Sequence, residues 1–361
     1  MTQPVIIVGA GVVGSLLGKF LKQKKIPFVI LEEKKSFELS PARTVALTKD
    51  SVSFLNSVDR RININQWGTP VKKMQLYQDK DLNTSLNYVD QTKLTTICSL
   101  DKLSSKLHEG LDGDILWNSR IEEIEECEDS ILVKARDKNI KGSILFATDG
   151  SNSKVRVMSN FDTEEWFYGQ RVYIARIKYD HQNIARQYFL KSGTLAFLPF
   201  DDCYSVIFCT NTNEDPRKEL ISLLHRFDLA KASTKIEPLV GGIELKHVRA
   251  KKLFSNRIVL CGDASNSFHP MAGQSLNLGI GDIMQISYDL KAILNADNNA
   301  LEKYNKTRNK KNLQMTWIIQ SLFGAFSNMS GISELMLSSG MKFLDKFTDA
   351  KETIIDFANK N

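Results

Sequence analysis

Near the N-terminus, three glycines have the spacing of a loop that binds the phosphates of a dinucleotide. Gly9, Gly11 and Gly14 form a GxGxxG pattern directly after the apolar run 5–8. The first glycine permits a tight turn, the second lets the backbone approach a pyrophosphate, and the third lets a helix pack closely on a strand. The backbone N–H groups at the start of that helix, around Val12, would face the phosphates.

An acidic residue at a suitable distance completes this motif. Apolar residues recur at helical spacing from Val13 to Leu21, which predicts a helix. A second apolar run, 28–31, then ends at Glu32, and a carboxylate there can accept hydrogen bonds from a ribose diol. Glu33 is the neighbouring alternative, and we prefer Glu32 because it directly follows the apolar run. This motif alone does not distinguish NAD from FAD.

A second block, residues 258–282, combines an acid at the end of a strand with the start of a helix. The apolar run 258–261 predicts a buried strand, and Asp263 follows it closely. A carboxylate in this position can bind the hydroxyl groups of a sugar-like chain. Beyond the loop, we expect a helix to begin near Gly273. Its free N–H groups and positive dipole end would stabilise an anion such as reduced flavin, which carries charge on N1 and O2.

Between these blocks, a third segment ends in a turn-forming pair. The strand-like runs 131–133 and 144–147 flank a polar turn, and Asp149-Gly150 follows the second run. Taken alone, Asp-Gly indicates only a turn.

Together, the three segments resemble the three fingerprints of one class of flavoenzyme. GAGVVG, ATDGSNSKVR and LCGDASNSFHPMAGQSLNLGIGD occur in the order typical of class A flavoprotein monooxygenases, which have the para-hydroxybenzoate hydroxylase fold. Within them, HPMAGQSLNLG is most similar to the hydroxylases of ubiquinone biosynthesis. The resemblance implies an α/β fold: an FAD-binding Rossmann-like domain, an inserted mixed β-sheet substrate domain and C-terminal helices.

The resemblance also implies site residues, position by position. The glycine loop and Glu32 would hold the ADP half of FAD, with Arg43 close to the cofactor, and Asp263 would hold the ribityl chain. The Asp149-Gly150 pair would belong to a motif implicated in binding FAD and NAD(P)H. Pro270, Gly273 and Asn277 would surround the isoalloxazine. The predicted cofactor-binding residues are Gly9, Gly11, Val12, Val13, Gly14, Glu32, Arg43, Asp149, Gly150, Asp263, Pro270, Gly273, Gln274, Ser275 and Asn277.

The implied reaction is hydroxylation of the aromatic ring of a polyprenylated phenol. NAD(P)H or another reductant would reduce FAD, O2 would add at C4a, and the hydroperoxide would transfer OH to the ring. The protein has to position the ring and exclude water. His269 is the one acid–base candidate that we single out, and a hydrogen bond that shapes the loop is the simpler interpretation.

Other functions stay open at this stage. A prenyl reductase of the same fold would need no oxygen. A halogenase is disfavoured because Trp67 is the only tryptophan among the first 100 residues. A non-catalytic FAD-binding component of a biosynthetic complex would bind flavin without forming product. An NAD-only dehydrogenase would purify colourless, and the block around Asp263 argues against it.

Composition and charge narrow the class. The 361 residues are 42% hydrophobic and 25% charged, with a net charge of +6, which is typical of a soluble globular protein. We find no apolar stretch long enough to span a membrane and no secretory signal. The five cysteines and five histidines are dispersed, so we predict neither disulfides nor a metal site. Nothing indicates nucleic-acid binding.

Two lysine clusters, at 22–25 and 306–311, bear on localisation. Solvated helix faces are the simpler interpretation, although lysines also suit anionic lipid headgroups. We expect a cytoplasmic protein and leave open a peripheral contact with the inner membrane, a homodimer and a ubiquinone-biosynthesis complex.

The patterning also predicts how the chain is divided. We predict a discontinuous FAD-binding domain (1–70, 95–160 and 249–300), a substrate domain (71–94 and 161–248) and a C-terminal helical segment (301–361). Four aromatic residues in the substrate domain are candidates for an apolar pocket, although strand core is the simpler interpretation: Tyr188, Phe189, Phe197 and Phe200. An apolar stripe in the helical segment predicts packing first, and membrane or subunit contact second: Trp317, Ile318, Leu322, Phe323 and Phe326.

Overall fold

The computed structural model describes residues 3–38, 43–79, 81–87, 95–227, 229, 236–237, 239–270 and 273–327. For 81–87 and 321–327 it describes the backbone alone. The predicted helical segment beyond 327, and the side chains of the predicted stripe from Leu322 onward, lie outside the described residues.

Helices and strands alternate along the first part of the chain, and strands dominate the middle. The helices are α1 Val12–Gln23, α2 Lys49–Val58, α3 Leu100–His108, α4 Lys154–Met158, α5 Pro216–Arg226, α6 Ser275–Tyr288, α7 Leu290–Leu294 and α8 Asn298–Ser327. The strands are β1 Val5–Val8, β2 Phe28–Leu31, β3 Thr44–Leu47, β4 Thr69–Val71, β5 Lys73–Gln78, β6 Asp81–Asn87, β7 Thr95–Ser99, β8 Ile115–Leu116, β9 Ile121–Glu126, β10 Ile131–Ala135, β11 Lys138–Gly142, β12 Leu145–Ala147, β13 Thr163–Ile177, β14 Ile184–Leu190, β15 Gly193–Phe200, β16 Cys203–Thr210, β17 Val240–Ala250, β18 Phe254–Ser255, β19 Ile258–Leu260 and β20 Asn266–Ser267.

A six-stranded sheet, in the order β18-β19-β12-β1-β2-β8, carries the sequence motifs. Its strands are parallel except for the β18–β19 pair. β1, β12 and β19 consist of uninterrupted apolar residues that are fully buried, as expected for parallel strands covered on both faces. The glycine loop, the Asp149-Gly150 pair and Asp263 therefore all follow strands that end at one edge of this sheet.

The segment before Asp149 differs from the prediction of two strands around a polar turn. The turn contains a strand, β11, which pairs with β10 in a separate antiparallel sheet of the order β11-β10-β9. β12 instead joins the parallel sheet between β1 and β19. Lys138–Gly142 contains only one large apolar residue, Ile140, so its sequence does not show the alternation typical of a strand.

An eight-stranded mixed sheet, in the order β20-β17-β13-β16-β15-β14-β5-β6, forms the second large layer. One face packs under α5, where it forms a core with Leu220, Leu223 and Leu224. The opposite face, which we call the inner face, packs on the small sheet β3-β7-β4 through a cluster that includes Ala46 and Ile97. Thr44 of that small sheet also donates a hydrogen bond to Ser205 of β16, at 2.7 Å.

The two faces separate the four aromatic residues proposed as pocket lining. Tyr188 and Phe197 lie in the core under α5, which confirms the simpler interpretation of strand core for these two residues. Phe200 belongs to the inner-face cluster. Successive residues of a strand point to opposite faces. The sequence separates these two sets of residues but does not show which set packs against α5.

The long helix α8 packs through one side only. Met315 and Ile319 are buried against the sheet, whereas Trp317 is 69% exposed and Ile318 is 39% exposed. The prediction that the apolar stripe packs is therefore wrong for Trp317 and Ile318. No helix in the described part of the chain has the length and apolar character needed to cross a membrane.

Candidate functional site

The glycine loop between β1 and α1 is packed tightly against the Thr148 turn. Gly9 has φ +101°, and a Cβ on it would lie 2.6 Å from the Thr148 carbonyl oxygen. A Cβ on Gly14 would lie 2.0 Å from the Gly9 carbonyl oxygen. Thr148 Oγ1 donates to the carbonyl oxygens of Val8, at 2.8 Å, and Gly9, at 3.0 Å. The first and third glycines of the motif are thus required by the protein's own packing.

Gly11 differs from the other two because its surroundings are open. A Cβ built on Gly11 would meet no protein atom within 4 Å. Gly11 is also the N-cap of α1, and no side chain caps this helix. The first N–H groups of α1, from Val12 and Val13, therefore border an open space. This is the arrangement that binds phosphates at helix N-termini.

Glu32 lies next to this loop. Its Oε2 accepts a hydrogen bond from the Ala10 N–H at 2.7 Å, and its Oε1 accepts one from the Lys34 N–H at 3.1 Å. Glu33 instead forms an ion pair with Lys154. The geometry therefore favours Glu32 over Glu33 as the acidic residue of the motif.

Asp149 connects the loop to α4. Its Oδ2 accepts hydrogen bonds from the N–H groups of Lys154, at 2.7 Å, and Val155, at 3.2 Å. Its Cα would lie 2.9 Å from a Cβ on Gly9. Gly150 has φ +81°, and a Cβ built on it would meet no protein atom within 4 Å. The Asp149-Gly150 pair thus lies directly beside the glycine loop.

Asp263 occupies a cleft at the end of β19. Its side chain is open to solvent, yet the surrounding protein is dense, and desolvation raises the pKa of Asp263. A hydrogen bond from Ser275 Oγ and the nearby charge of Arg43 act in the opposite direction on this pKa. An acceptor that is accessible but enclosed suits the hydroxyl groups of a bound ligand.

The start of α6 lies against β3. Gly273 has φ +58°, and a Cβ on it would lie 3.7 Å from Ala46 Cβ. Asn277 is buried; its Nδ2 donates to the Ala46 carbonyl oxygen at 2.8 Å, and its Oδ1 accepts from the Thr48 N–H at 3.0 Å. Gln274 is the N-cap of α6, without a side-chain capping bond. Asn277 therefore fixes the helix start, while the helix N–H groups stay open.

His269 and Pro270 shape the loop before α6. His269 is buried, and its Nε2 lies 3.0 Å from Gln170 Oε1 of β13. The Pro270 carbonyl oxygen accepts a hydrogen bond from the Gly273 N–H at 2.9 Å. Burial lowers the pKa of His269 to about 4. The neutral ring of His269, bonded to Gln170, anchors one end of the loop, and the hydrogen bond from Asn277 to the Ala46 carbonyl oxygen holds the α6 start at the other end.

The buried histidines predict a loss of stability in mild acid. Burial lowers the pKa of His247 to about 4, as for His269, against about 6.5 in an unfolded chain. Below pH ~6.5 the unfolded state therefore takes up protons that the folded state does not. The stabilisation that the two neutral histidines provide is complete above this pH and declines as the pH falls towards about 4. Each histidine should steepen the decline by up to about 1.4 kcal/mol per pH unit.

Urea unfolding between about pH 7.5 and pH 5 measures this slope. The variant His247→Phe keeps an aromatic ring against Trp166, on which His247 stacks with centroids 3.8 Å apart, and it should flatten the profile. The exposed His225→Gln is the matched control. Parallel profiles for His247→Phe and the parent chain would contradict the prediction.

A buried ion pair between α6 and α8 supports the Asp263 turn. Arg308 of α8 donates to Asp282 Oδ1 at 2.6 Å and to the Leu278 carbonyl oxygen at 2.8 Å. Asp282 Oδ2 accepts the Gly262 N–H at 2.7 Å. Asp282 is the last residue of the third fingerprint, whereas Arg308 lies in a lysine-rich helix. No local pattern in the sequence indicates that Arg308 is the partner of Asp282.

The predicted residues converge on one cleft. Val13 of α1 would lie 2.7 Å from a Cβ on Gly279, so α1 and α6 are in close contact. Glu32 and the Asp149 turn flank the glycine loop, because β2 and β12 are the two neighbours of β1, and Asp263 follows β19, the strand beyond β12. Ser275 at the α6 start and Arg43 lie close to Asp263. The open α1 N-terminus fits a pyrophosphate, the accessible Asp263 fits a ribityl chain, and the uncapped α6 fits an anionic flavin ring. The donor set thus fits FAD.

Comparisons with known proteins agree with this fit. A family model described as an FAD binding domain matches residues 2–316. The mitochondrial ubiquinone biosynthesis monooxygenase COQ6 of Xenopus tropicalis is 23% identical, over 99% of this chain and 93% of that protein. Ubiquinone hydroxylase UbiL of Rhodospirillum rubrum is 23% identical, over 90% of this chain and 82% of that protein.

Solved structures show the same fold. The p-nitrophenol 4-monooxygenase PnpA of Pseudomonas putida superposes with a TM-score of 0.84 at 18% identity, covering 99% of this chain and 98% of that chain. HpxO of Klebsiella pneumoniae, complexed with FAD and uric acid, superposes with a TM-score of 0.80 at 16% identity, covering 99% and 96%. Our chain therefore belongs to the family of the FAD binding domain and is an FAD-dependent monooxygenase.

Proposed function

We propose that this monooxygenase hydroxylates the aromatic ring of a polyprenylated phenol in ubiquinone biosynthesis, with NAD(P)H supplying the electrons. The vertebrate relative is named a ubiquinone biosynthesis monooxygenase, and the bacterial relative is named a ubiquinone hydroxylase. We further propose the domain division and the cofactor-binding residues predicted above, and a peripheral contact with the inner membrane.

The observation that carries the proposal is an apolar patch on the inner face of the eight-stranded sheet. Ile174, Ile207 and Ala196 are cross-strand neighbours on β13, β16 and β15. All three are half-buried although they lie on central strands. Half-buried apolar residues in the middle of a sheet leave room opposite them for an apolar ligand.

The strand β13, which carries Ile174 of this patch, also holds the loop that precedes α6. His269 links the loop to Gln170 of β13, and Asn277 Nδ2 links its other end to β3 by donating to the carbonyl oxygens of Ala46 and Gly273. Ala46 and Thr44 in turn contact the inner face next to the patch. An aromatic ring between loop and patch would therefore be close to the cofactor residues and shielded from water.

The chain's own groups have three tasks in the proposed reaction. The α1 N-terminus, Glu32 and Asp263 hold the cofactor, and the α6 N-terminus stabilises negative charge. The apolar patch orients a neutral ring and excludes water. Bound FAD, once reduced, supplies the activation of O2 and the transfer of one oxygen atom.

Isotope labelling tests the proposed reaction. Purified protein loaded with FAD should oxidise NADPH or NADH and consume O2 when given prenylated phenols of the demethoxyubiquinone type. With 18O2, the product should carry one labelled hydroxyl oxygen. Reduction of a prenyl chain without O2 uptake would favour a reductase, and a halogenated product in the presence of halide would favour a halogenase. Reduced flavin without any product would favour a non-catalytic component.

A further inference from the structure

We propose that the substrate's hydrocarbon tail leaves the site over an apolar rim at the edge of the eight-stranded sheet. We call Val240 and Ile243 of β17, with Val172 and Ile174 of β13 behind them, the exit rim. This inference rests on the proposed function, because it requires a phenol with a long apolar tail. It adds where that tail lies and which residues select for it.

A β-bulge places both β17 residues of the rim on the inner face. Val172 pairs with Ile243 and Ile174 pairs with Val240, with a register shift between them at the Gly241-Gly242 pair. In a regular strand, residues three apart point to opposite faces. The extra residue of the bulge restores them to the same face. Both glycines have positive φ, and a Cβ on Gly241 would lie 2.4 Å from the Val172 carbonyl oxygen, so glycine is required there.

The exit rim is continuous with the apolar patch. Ile174 pairs with Val240 on one side and with Ile207 on the other, and Ile207 pairs with Ala196. Paired residues share a face, so these side chains form one row. Because neighbouring strands are about 4.8 Å apart, Ile207 and Val240 are separated by about 10 Å. A tail attached to a ring on the patch can therefore reach the sheet edge along this row.

The rim is open and uncharged. Val240 is 55% exposed and Ile243 is 68% exposed. β20 pairs with β17 only at Val248 and Arg249, so among the described strands the rim half of β17 has no further neighbour. Arg171 and Glu244 pair with each other one position along, on the outer face. Arg176 lies on the inner face two residues beyond Ile174, with its guanidinium over the Phe200 ring. Two large exposed apolar side chains that are continuous with the apolar patch suit an apolar chain passing into solution or lipid.

Tail-length kinetics test the exit rim. The double variant Val240→Glu/Ile243→Glu should raise the KM for a long-tailed phenol at least about 10-fold more than the KM for the same phenol without a tail, which is about 1.4 kcal/mol of selective binding. Both residues are exposed, so the fold should tolerate the change. Val157→Glu is the matched control, because Val157 is 71% exposed on α4. Equal KM changes for both phenols would overturn the proposal.

Photo-crosslinking tests the same surface without turnover. A farnesyl chain with a terminal diazirine, attached to a phenol, should label the peptides around 240–244 and 172–176 in the FAD-loaded protein, and the double variant should lose this labelling. Labelling elsewhere would overturn the exit rim, even if the phenol is hydroxylated. Correct labelling of a protein that hydroxylates no phenol would refute the proposed function but retain the rim. A dimer of the parent chain that the double variant dissociates would instead assign the rim to a second copy.

Discussion

A Gly11→Ala variant should fold as stably as the parent chain and bind FAD at least about 100-fold more weakly, a loss of about 2.7 kcal/mol. The added methyl group meets no protein atom within 4 Å, and Gly11 has φ −67° and ψ −177°, which alanine adopts readily. The protein alone therefore gives no reason for glycine at this position. A phosphate group held at the α1 N-terminus would give one, because the methyl would occupy its place.

Two other glycines provide the comparison for this prediction. Gly113→Ala is the matched control, since its Cβ also meets open space, at a turn away from the cleft. Gly14→Ala is the opposite case, because its Cβ would lie 2.0 Å from a backbone oxygen and should reduce stability even without cofactor. Flavin fluorescence quenching gives the affinity, and urea unfolding of the apoprotein gives the stability. Parental FAD affinity in a folded Gly11→Ala protein would place the phosphates elsewhere.

Motif geometry could be predicted from the sequence because local rules fix it. The predicted runs 5–8 and 28–31 coincide with β1 and β2. The helix expected near Gly273 begins at Ser275. In each case an uninterrupted apolar run, or a glycine with positive φ, constrains the backbone over a few residues, and no distant partner is needed.

Partners that are distant in sequence could not be predicted in the same way. His269 bonds Gln170 across 99 positions, and the extra residue in β17 is defined only by its register with β13. Both depend on how two elements meet in space, which a single sequence does not encode in any local period. The faces of the eight-stranded sheet show the same limit, since alternation separates two sets of residues without telling which set α5 covers.

Loss of the Asp282–Arg308 pair should strongly reduce the stability of the protein. Both side chains are 2% exposed, with Nε and Oδ1 2.6 Å apart. Arg308→Met should lower the free energy of unfolding by about 3–5 kcal/mol, because Asp282 is left as a buried charge without its partner. Urea unfolding measures this loss. The control on the same helix is Lys303→Met. Lys303 is 60% exposed in its ion pair with Asp289, so this pair should contribute less than about 1 kcal/mol.

The pH dependence separates an unpaired charge from simple loss of packing. Desolvation already raises the pKa of Asp282 in the parent chain, and the charge of Arg308 opposes that rise. Without Arg308, this pKa should rise further above its unfolded value, so the folded variant takes up a proton that the unfolded chain does not. The deficit of Arg308→Met relative to the parent should therefore shrink as the pH falls, and Asp282→Asn/Arg308→Met should recover part of it at neutral pH. A deficit that is constant with pH would assign Arg308 a packing role, whereas a shrinking deficit means that the Gly262 turn beside Asp263 depends on a charge that α8 neutralises.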